Sequence, residues 1–457
     1  MARFVELLWN PDREFGLSRR DLAPGRYLAY VPDELGERLP EIGAEARAAA
    51  EDALAVLARA DERIAARGRY LNHLLIRSES ISSSWIEGNR IAPKRLAMAE
   101  LLHAGPAVAL AVVANVRATE DAVAAMSDPF RPMTAADIVD LHHVVDPHLH
   151  KGLRTEQNWV GGPGWSPLRA DFVPPPQGEV PRLVDDLARF LTATDGNPVV
   201  RAAIAHAQFE TIHPFIDGNG RSGRALIHTV LRRGDALRNI LIPISTVFAG
   251  DTDAYIGGLS AFRDQPQRLD DWIIGFCRAA QIAADNAVRL AGDVEALDEE
   301  AHQQLVRHRA DLGLTPREPR RGAVVLRILH NLAAEPVLTV ESAAARHGVT
   351  PPAAHAALVE LTAAGILTRN PIPGTRTLCW TADRHLGLVA LTERSNRVGG
   401  ADTRTRKPIL APAAPGPAQH GPLHEHRALG QQQQDPPTAD ADDPGQRPGD
   451  GPQTSRR

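Results

Sequence analysis

Residues 213–224 read HPFIDGNGRSGR. A histidine, an acid, an asparagine between two glycines and two arginines lie within one short run. His213 is the residue of this run that ordinarily titrates near neutrality, so it can act as a base. Asp217 is a hard oxygen ligand, and Mg²⁺ takes one or two carboxylates together with substrate phosphates. Gly218 and Gly220 remove side chains that would hold a phosphate away from the backbone N–H groups. Arg221 and Arg224 lie three residues apart, so their guanidinium forks project from neighbouring positions and suit a polyphosphate. Together these residues suit a polyphosphate held with a metal ion, with a base close beside it.

The flanking segments must position that run. Upstream, NPVVRAAIAHAQFETI places Val200, Ile204, Phe209 and Ile212 at roughly helical spacing. Downstream, RALIHTVLRRG places Leu226, Ile227, Val230 and Leu231 on an apolar stripe that ends at Gly234. The run is therefore a loop between two helices, with GNGRSGR opening the second. A helix start offers unpaired N–H groups and a partial positive charge, which together attract anions. In ISSSWIEGNR, residues 81–90, Ser83 and Glu87 stand four apart and share one helix face. RTEQNWVGGPGWSPLRADFVPPP, rich in Gly, Pro and Trp, interrupts the helical patterns as a hairpin or loop.

HPFIDGNGRSGR resembles in full the signature of the Fic family (Fido fold), His-Pro-Phe-x-[Asp/Glu]-Gly-Asn-Gly-Arg-x-x-Arg. The resemblance covers most of residues 70–290, including AHAQFETIHPF. It implies a protein adenylyltransferase that moves AMP from ATP to a protein hydroxyl, with ATP as substrate and Mg²⁺ as cofactor. His213 would deprotonate the target Ser, Thr or Tyr, and Asp217 would hold Mg²⁺ between the α and β phosphates. Gly218, Asn219 and Gly220 would line the phosphate cradle, with Ser222 and Gly223 beside it. Arg221 would meet the β-phosphate side and Arg224 the γ-phosphate, while Pro214 and Phe215 shape and anchor the loop. Doc-type relatives, which phosphorylate instead, lack the GNGRxxR ending.

Ser83 to Gly88 fits the inhibitory pattern of this family, [Ser/Thr]-x-x-x-Glu-[Gly/Asn]. The resemblance then implies that Glu87 pairs with Arg224, blocks seating of the γ-phosphate and restrains the enzyme from its N-terminal side. Trp159, Val160, Gly161 and Gly162, with Ala170 to Pro176, resemble the flap hairpin that docks the target as an added strand. DAYIGGL resembles the segment whose paired tyrosines lie near the adenine; Tyr255 matches the first of them, and Ile256 departs from the second.

The expected fold is all-α: a Fic/Fido helical bundle with a small β-hairpin flap and a C-terminal winged helix-turn-helix-like domain. Four parts are expected. Residues 1–130 form an N-terminal helical region with the inhibitory motif, 131–290 the catalytic domain, 318–395 the winged domain and 396–457 a disordered tail. The tail, with PGPAQHGP and QQQQDPPTADADDPGQRPGDGPQ, has too few large apolar residues to repay the entropy of folding. In the winged domain PPAAHAALVELTAAG is the recognition-helix candidate; it presents His355 and Glu360 instead of an arginine row, while Arg369 and Arg376 make the wing more basic.

At 457 residues the chain has room for these parts, and its net charge of −5 decides nothing about nucleic acid because it averages unlike segments. Lysine occurs only as Lys94, Lys151 and Lys407. Cys277 and Cys379 form neither a disulfide framework nor a zinc-finger spacing. MARFVELLWNPD lacks the long apolar core of a signal peptide, and no stretch approaches the roughly 18 apolar residues of a membrane span. The expectation is a soluble cytoplasmic protein without a membrane partner. It acts on a protein hydroxyl, with self-modification, homodimerisation and DNA binding through the C-terminal domain left open. Two alternatives also stand: a DNA- or protein-binding regulator whose Fic domain senses nucleotide, and a Fic enzyme that uses another donor or removes AMP.

Overall fold

A computed structural model describes residues 2–11, 22–66, 69–145, 147–162, 166–263, 268–372 and 375–388. The chain opens with strands β1 (Arg3–Trp9) and β2 (Gly25–Val31), followed by helices α1 (Ala44–Ala65), α2 (Arg69–Ile86), α3 (Pro93–Leu102), α4 (Ala107–Met126) and α5 (Ala135–Val145). Helices α6 (Val180–Thr192), α7 (Pro198–Ile212), α8 (Asn219–Arg233), α9 (Ile244–Gly250), α10 (Thr252–Arg263) and α11 (Leu269–Asp311) complete the larger region. The C-terminal region is α12 (Val324–Leu329), β3 (Val337–Leu338), α13 (Val340–His347), α14 (Pro351–Ala363), β4 (Thr368–Pro371) and β5 (Leu378–Thr381).

Helix α7 is buried almost all round, and its polar residues Arg201, His206 and Gln208 make hydrogen bonds inside the fold. Asn197 caps it by accepting from the N–H groups of Val199 and Val200, and Pro198 occupies its first turn. Helix α8 packs along it, and Arg233 at its far end is 3% exposed. That guanidinium donates to the carbonyls of Met126 at 3.0 Å, Arg131 at 2.9 Å and Leu191 at 3.2 Å, which fixes the end of α8 away from the loop. On α1 the buried residues Ala46, Ala50, Ala53, Leu57, Ala60 and Ile64 form one stripe, which lies against α11. One apolar core takes in residues from Val31 to Val294, with Ala333, so the N-terminal helices and the central hairpin α7–α8 share it.

The N-terminal region departs from a purely helical reading. RFVELLW and GRYLAYV pair antiparallel with Phe4 opposite Tyr30 and Leu8 opposite Arg26. Their alternating side chains and their Tyr, Phe and Val content favour a strand, a local signal outweighed in the sequence by the long Ala/Leu/Arg/Glu runs that follow. Among the described residues the flap segment carries an antiparallel bridge, Val160 to Phe172. Helix α11 does not end near residue 290. Its 43 residues, about 65 Å at the α-helical rise, carry Ala301 and Leu305 into a second core built from α12, α13, α14 and the sheet β3-β5-β4. That helix, strand, helix, helix, strand, strand order is a winged-helix-like arrangement. The tail expected over residues 396–457 lies outside the described residues. Among the described residues no single helix is long and apolar enough to cross a membrane.

Helix α2 is fixed at two points. Glu79 accepts from the N–H and hydroxyl of Ser245 at 2.9 and 2.5 Å. Glu100 of α3 accepts from Arg77 Nε and Nη2 at 2.9 and 2.6 Å and faces His73 Nε2 at 3.1 Å. Burial by itself would raise the Glu100 carboxyl, but the His73 hydrogen bond and the Arg77 charge hold it down to about 2. A carboxyl depressed on folding stabilises the protein above its unfolded pKa, and that stability is lost as pH falls through the folded value. Unfolding free energy is therefore expected to drop by about 2–3 kcal/mol as pH falls from 4.5 to about 2, and Glu100→Gln should remove this part of the slope. Denaturant titrations at several pH values check this; parallel profiles for the two proteins would contradict it.

Candidate active site

The loop between α7 and α8 begins at His213, whose backbone is left-handed with φ 49° and ψ 61°. For a residue with a Cβ that conformation costs about 1–2 kcal/mol, so something must hold it. The His213 N–H donates to the Phe209 carbonyl at 2.8 Å. Its own carbonyl accepts from Arg154 Nε at 2.9 Å and from Asn158 Nδ2 at 3.4 Å. Arg154, 3% exposed, also donates to the carbonyls of Glu156 at 3.0 Å, Pro175 at 2.5 Å and Ile212 at 3.4 Å. Its backbone N–H reaches the Pro214 carbonyl at 2.9 Å. Burial pulls Arg154 down to about 10, where it keeps its charge at neutral pH.

The rest of the loop is braced from below. Phe215 is fully buried and stacks on His142, ring centroids 3.8 Å apart at 9°. Asn219 folds back on it: the Phe215 N–H donates to Asn219 Oδ1 at 2.9 Å, and Asn219 Nδ2 donates to the Phe215 carbonyl at 2.8 Å. The Asn219 side chain is thus spent on the loop, leaving its backbone for any phosphate. Gly218 is left-handed at φ 74°, and a Cβ there would lie 2.9 Å from Leu149 Cδ1. Asp217 is exposed; its Oδ1 accepts from the Gly218 N–H at 2.6 Å, and its carbonyl lies 2.9 Å from His142 Nε2.

Helix α2 delivers Ser83 and Glu87 to the start of α8. Arg221 Nε donates to Glu87 Oε2 at 2.7 Å, and Arg224 Nη2 donates to Glu87 Oε1 at 2.9 Å. Arg224 also donates from Nε to Ser83 Oγ and from Nη2 to the Ser83 carbonyl, both at 2.8 Å. One carboxylate therefore bridges both arginines. Gly220 makes this packing feasible, because a Cβ there would lie 2.6 Å from Glu87 Oε1 and 2.7 Å from Arg224 Nη1. Burial works against the Arg224 charge, but the Glu87 carboxylate leads the groups that raise it. Ser222 is fully buried in α8, and Gly223 faces α7.

Behind Arg224, Tyr255 of α10 is 4% exposed and stacks on Phe248 at 4.5 Å. Its hydroxyl lies 2.8 Å from His206 Nε2, and burial pushes that hydroxyl upward. Burial, with the Arg224 charge, pushes His206 down to about 3. The His213 ring is held well below the usual histidine range by burial and by the Arg154 cation, so it is neutral and able to take a proton. Glu210, beside it, is pushed up to about 7 by burial, against the pull of Arg224.

The flap segment joins this loop through Asn158, whose Nδ2 donates to the Phe215 carbonyl at 2.9 Å. Trp159 packs edge-on against Trp9 at 5.5 Å. Val160 exchanges backbone hydrogen bonds with Phe172 at 2.8 and 3.0 Å. Gly161 and Gly162 have φ of 69° and 85°, and the Gly162 N–H donates to Asp171 Oδ2 at 3.0 Å. On the other side of the flap the Tyr30 N–H donates to the Val173 carbonyl at 2.9 Å, so β2 already covers that edge.

Among the described residues no group of three or more His, Cys, Asp or Glu side chains is placed to hold a metal ion. Asp217 fits Mg²⁺ only in company with nucleotide phosphates, the usual Mg²⁺ donor set. Sequence reasoning missed Arg154, Asn158, His142 and Glu210. Arg154 and Asn158 flank Glu156 and Gln157 in RTEQN, a polar run opening a Gly/Pro-rich loop, which was the available signal.

The Fic/DOC family pattern matches residues 132–231. Protein adenylyltransferase Fic of Drosophila grimshawi is 38% identical over 108 residues, which are 22% of this chain and 20% of that protein. The Drosophila melanogaster protein of the same name is 36% identical over 108 residues, again 22% and 20% of the two chains. The chain thus spans about a fifth of the length of the curated relatives it matches. Among solved structures, a Fic family protein from Desulfovibrio desulfuricans is 20% identical, covering 75% of this chain and 97% of that one, with a TM-score of 0.45. Fic-1 from C. elegans is 18% identical, covering 54% and 72%, with a TM-score of 0.41.

Removing the Arg154 fork strands several carbonyls at once. Arg154→Met is expected to lower unfolding free energy by about 2–4 kcal/mol, because buried acceptors lose their donor. Arg154→Lys should recover less than half of this, since an ammonium lacks the planar fork. Urea unfolding checks both; a loss below about 0.5 kcal/mol for Arg154→Met, the range of an ordinary surface change, would contradict the bracing role.

Proposed function

Because the chain carries a Fic/DOC-family domain over residues 132–231, we propose that it transfers AMP from ATP to a Ser, Thr or Tyr hydroxyl of a protein, and that Glu87 restrains this transfer. The observation that carries the reading is the Glu87 carboxylate lying on both Arg221 and Arg224, 2.7 and 2.9 Å away. Two buried guanidinium groups at a helix start are an anion site for adjacent phosphates, and a carboxylate already in place competes for it. The Drosophila relatives carry the name protein adenylyltransferase, which agrees with this use of the site.

In the reaction the target hydroxyl oxygen bonds to the α-phosphorus, the bond to the pyrophosphate oxygen breaks, and the hydroxyl proton passes to His213. Arg154 and Asn158 hold the His213 carbonyl, and with it the left-handed cap conformation that sets where the imidazole sits. Gly218, the backbone of Asn219, Gly220, Ser222 and Gly223 line the phosphate path. Arg221 takes the β-phosphate side and Arg224 the γ-phosphate, stabilising the charge that builds on the departing pyrophosphate. Asp217 would hold Mg²⁺ with the phosphates, supplying further positive charge there. Tyr255 supports Arg224 from behind, and Trp159, Val160, Gly161 and Gly162 would offer the target a strand edge. Two buried free cysteines, Cys277 and Cys379, suit a reducing cytoplasmic setting.

The test uses ATP labelled at the α-phosphate, with Mg²⁺, and reads covalent label on the denatured protein itself and on added lysate proteins. Glu87→Gly is expected to label at least about tenfold more strongly than wild type, the effect of freeing one charge-assisted site. His213→Ala in that background should lose about 10²- to 10⁴-fold, the span of a general base. Equal labelling of wild type and Glu87→Gly at saturating ATP would reject the restraint. No label from any variant that still binds ATP would favour a nucleotide sensor or another donor.

A further inference from the structure

Two buried polar atoms at the base of the catalytic loop have no hydrogen-bond partner: Nδ1 of His213 and Oε1 of Glu210. They belong to side chains one helical turn apart, on the last turn and cap of α7, and Glu210 Oε2 lies 3.8 Å from His213 Nδ1. Glu210 has no role in the mechanism above. A buried carboxylate oxygen without a hydrogen-bond partner is costly and calls for an explanation.

The neighbouring helix is shaped around this carboxylate. A Cβ at Gly223 of α8 would lie 2.4 Å from Glu210 Oε1 and 3.0 Å from Phe209 Cδ1. The charged groups around the pair are unequal. Arg154 and Arg263 act on His213 as cations that disfavour a protonated ring, whereas Arg224, Arg263 and Glu87 act on Glu210. Among the described residues Glu210 is the carboxylate within ion-pair distance of His213. The Glu210 backbone carbonyl also faces the ring, so two acceptors on one residue compete for Nδ1–H.

We infer that Glu210 is a positioning residue for His213: its carboxylate takes the Nδ1–H, leaves Nε2 toward the target hydroxyl and offsets the charge the ring gains with the proton. The Nδ1 proton stays on the ring throughout; only the hydroxyl proton moves, to Nε2. The present 3.8 Å separation needs a small ring rotation to become a hydrogen bond, and such bonds commonly tighten only when the reacting complex forms. Burial and the nearby Glu87 carboxylate push Glu210 toward its neutral form, against the Arg224 charge, so departure of Glu87 would also favour the anion that His213 uses. This inference rests on the reading of His213 as the base.

The test has one arm that needs no activity. Ring-nitrogen NMR at pH 8, with the His213 signal identified by its loss in His213→Ala, is expected to report an Nδ1–H tautomer in Glu87→Gly. The added change Glu210→Ala should shift that tautomer, and Glu210→Asp should retain part of it. The second arm measures AMP transfer in the same background. Glu210→Gln, which keeps shape and loses charge, should lower kcat about 10- to 100-fold with KM for ATP unchanged, a modest share of a general base's contribution. An unaltered tautomer together with kcat within about twofold would overturn the inference, leaving the backbone carbonyl sufficient. A shifted tautomer in a protein that transfers nothing would sustain the Glu210–His213 link and instead reject the transfer reading.

Discussion

Arg224 is 2% exposed and Arg221 8%, and neither can give up its proton at any ordinary pH. Two cations taken that far out of water demand an anion, and an uncompensated one would cost about 3–5 kcal/mol. In this structure Glu87 is that anion, reaching across from α2. The arrangement around it follows from the same demand. Ser83 supplies two acceptors to Arg224, Gly220 leaves room for the carboxylate, and α2 is pinned upstream through Arg77 and Glu79. A phosphate could take the same place, and the proposed restraint by Glu87 is an exchange of one anion for the other.

The second constraint is a backbone one. His213 sits in a conformation that a residue with a Cβ avoids, and its carbonyl is held by donors from the flap segment, Arg154 and Asn158. The same Arg154 grips Pro175 on the far side of the flap. The edge that would receive a target and the group that would deprotonate it are therefore parts of one rigid unit. Bracing of this kind is what preorganised electrostatic stabilisation requires of a loop backbone. The neighbouring strand β2 covers the Val173 side of the flap segment.

The mainly helical architecture and the loop between two helices were legible because their signals are local: helix-spaced apolar residues on both sides of the loop and Gly234 at the end of the second helix. The contact of Glu87 with Arg224 was expected from the resemblance; its second contact, with Arg221, was not, because sequence spacing cannot say how far a carboxylate reaches between helices. Arg154 lies 59 residues from His213, and no periodicity links a loop arginine to a distant carbonyl. The strands β1 and β2 were hidden by the composition of the helices that follow. Tyr255 was placed near a base by resemblance, while its hydroxyl faces His206 in the core, a pairing that depends on how α10 packs on α7.

The claim that most of this depends on is that Glu87 and the terminal phosphate compete for the same two guanidinium groups. Calorimetric affinities for Mg²⁺-ATP and Mg²⁺-ADP, measured on wild type and Glu87→Gly, test it most directly. The account predicts little preference for ATP over ADP in wild type and a gain in that preference of about tenfold or more in the variant, the worth of one charge-assisted contact. The same ATP-to-ADP ratio in both proteins would contradict it.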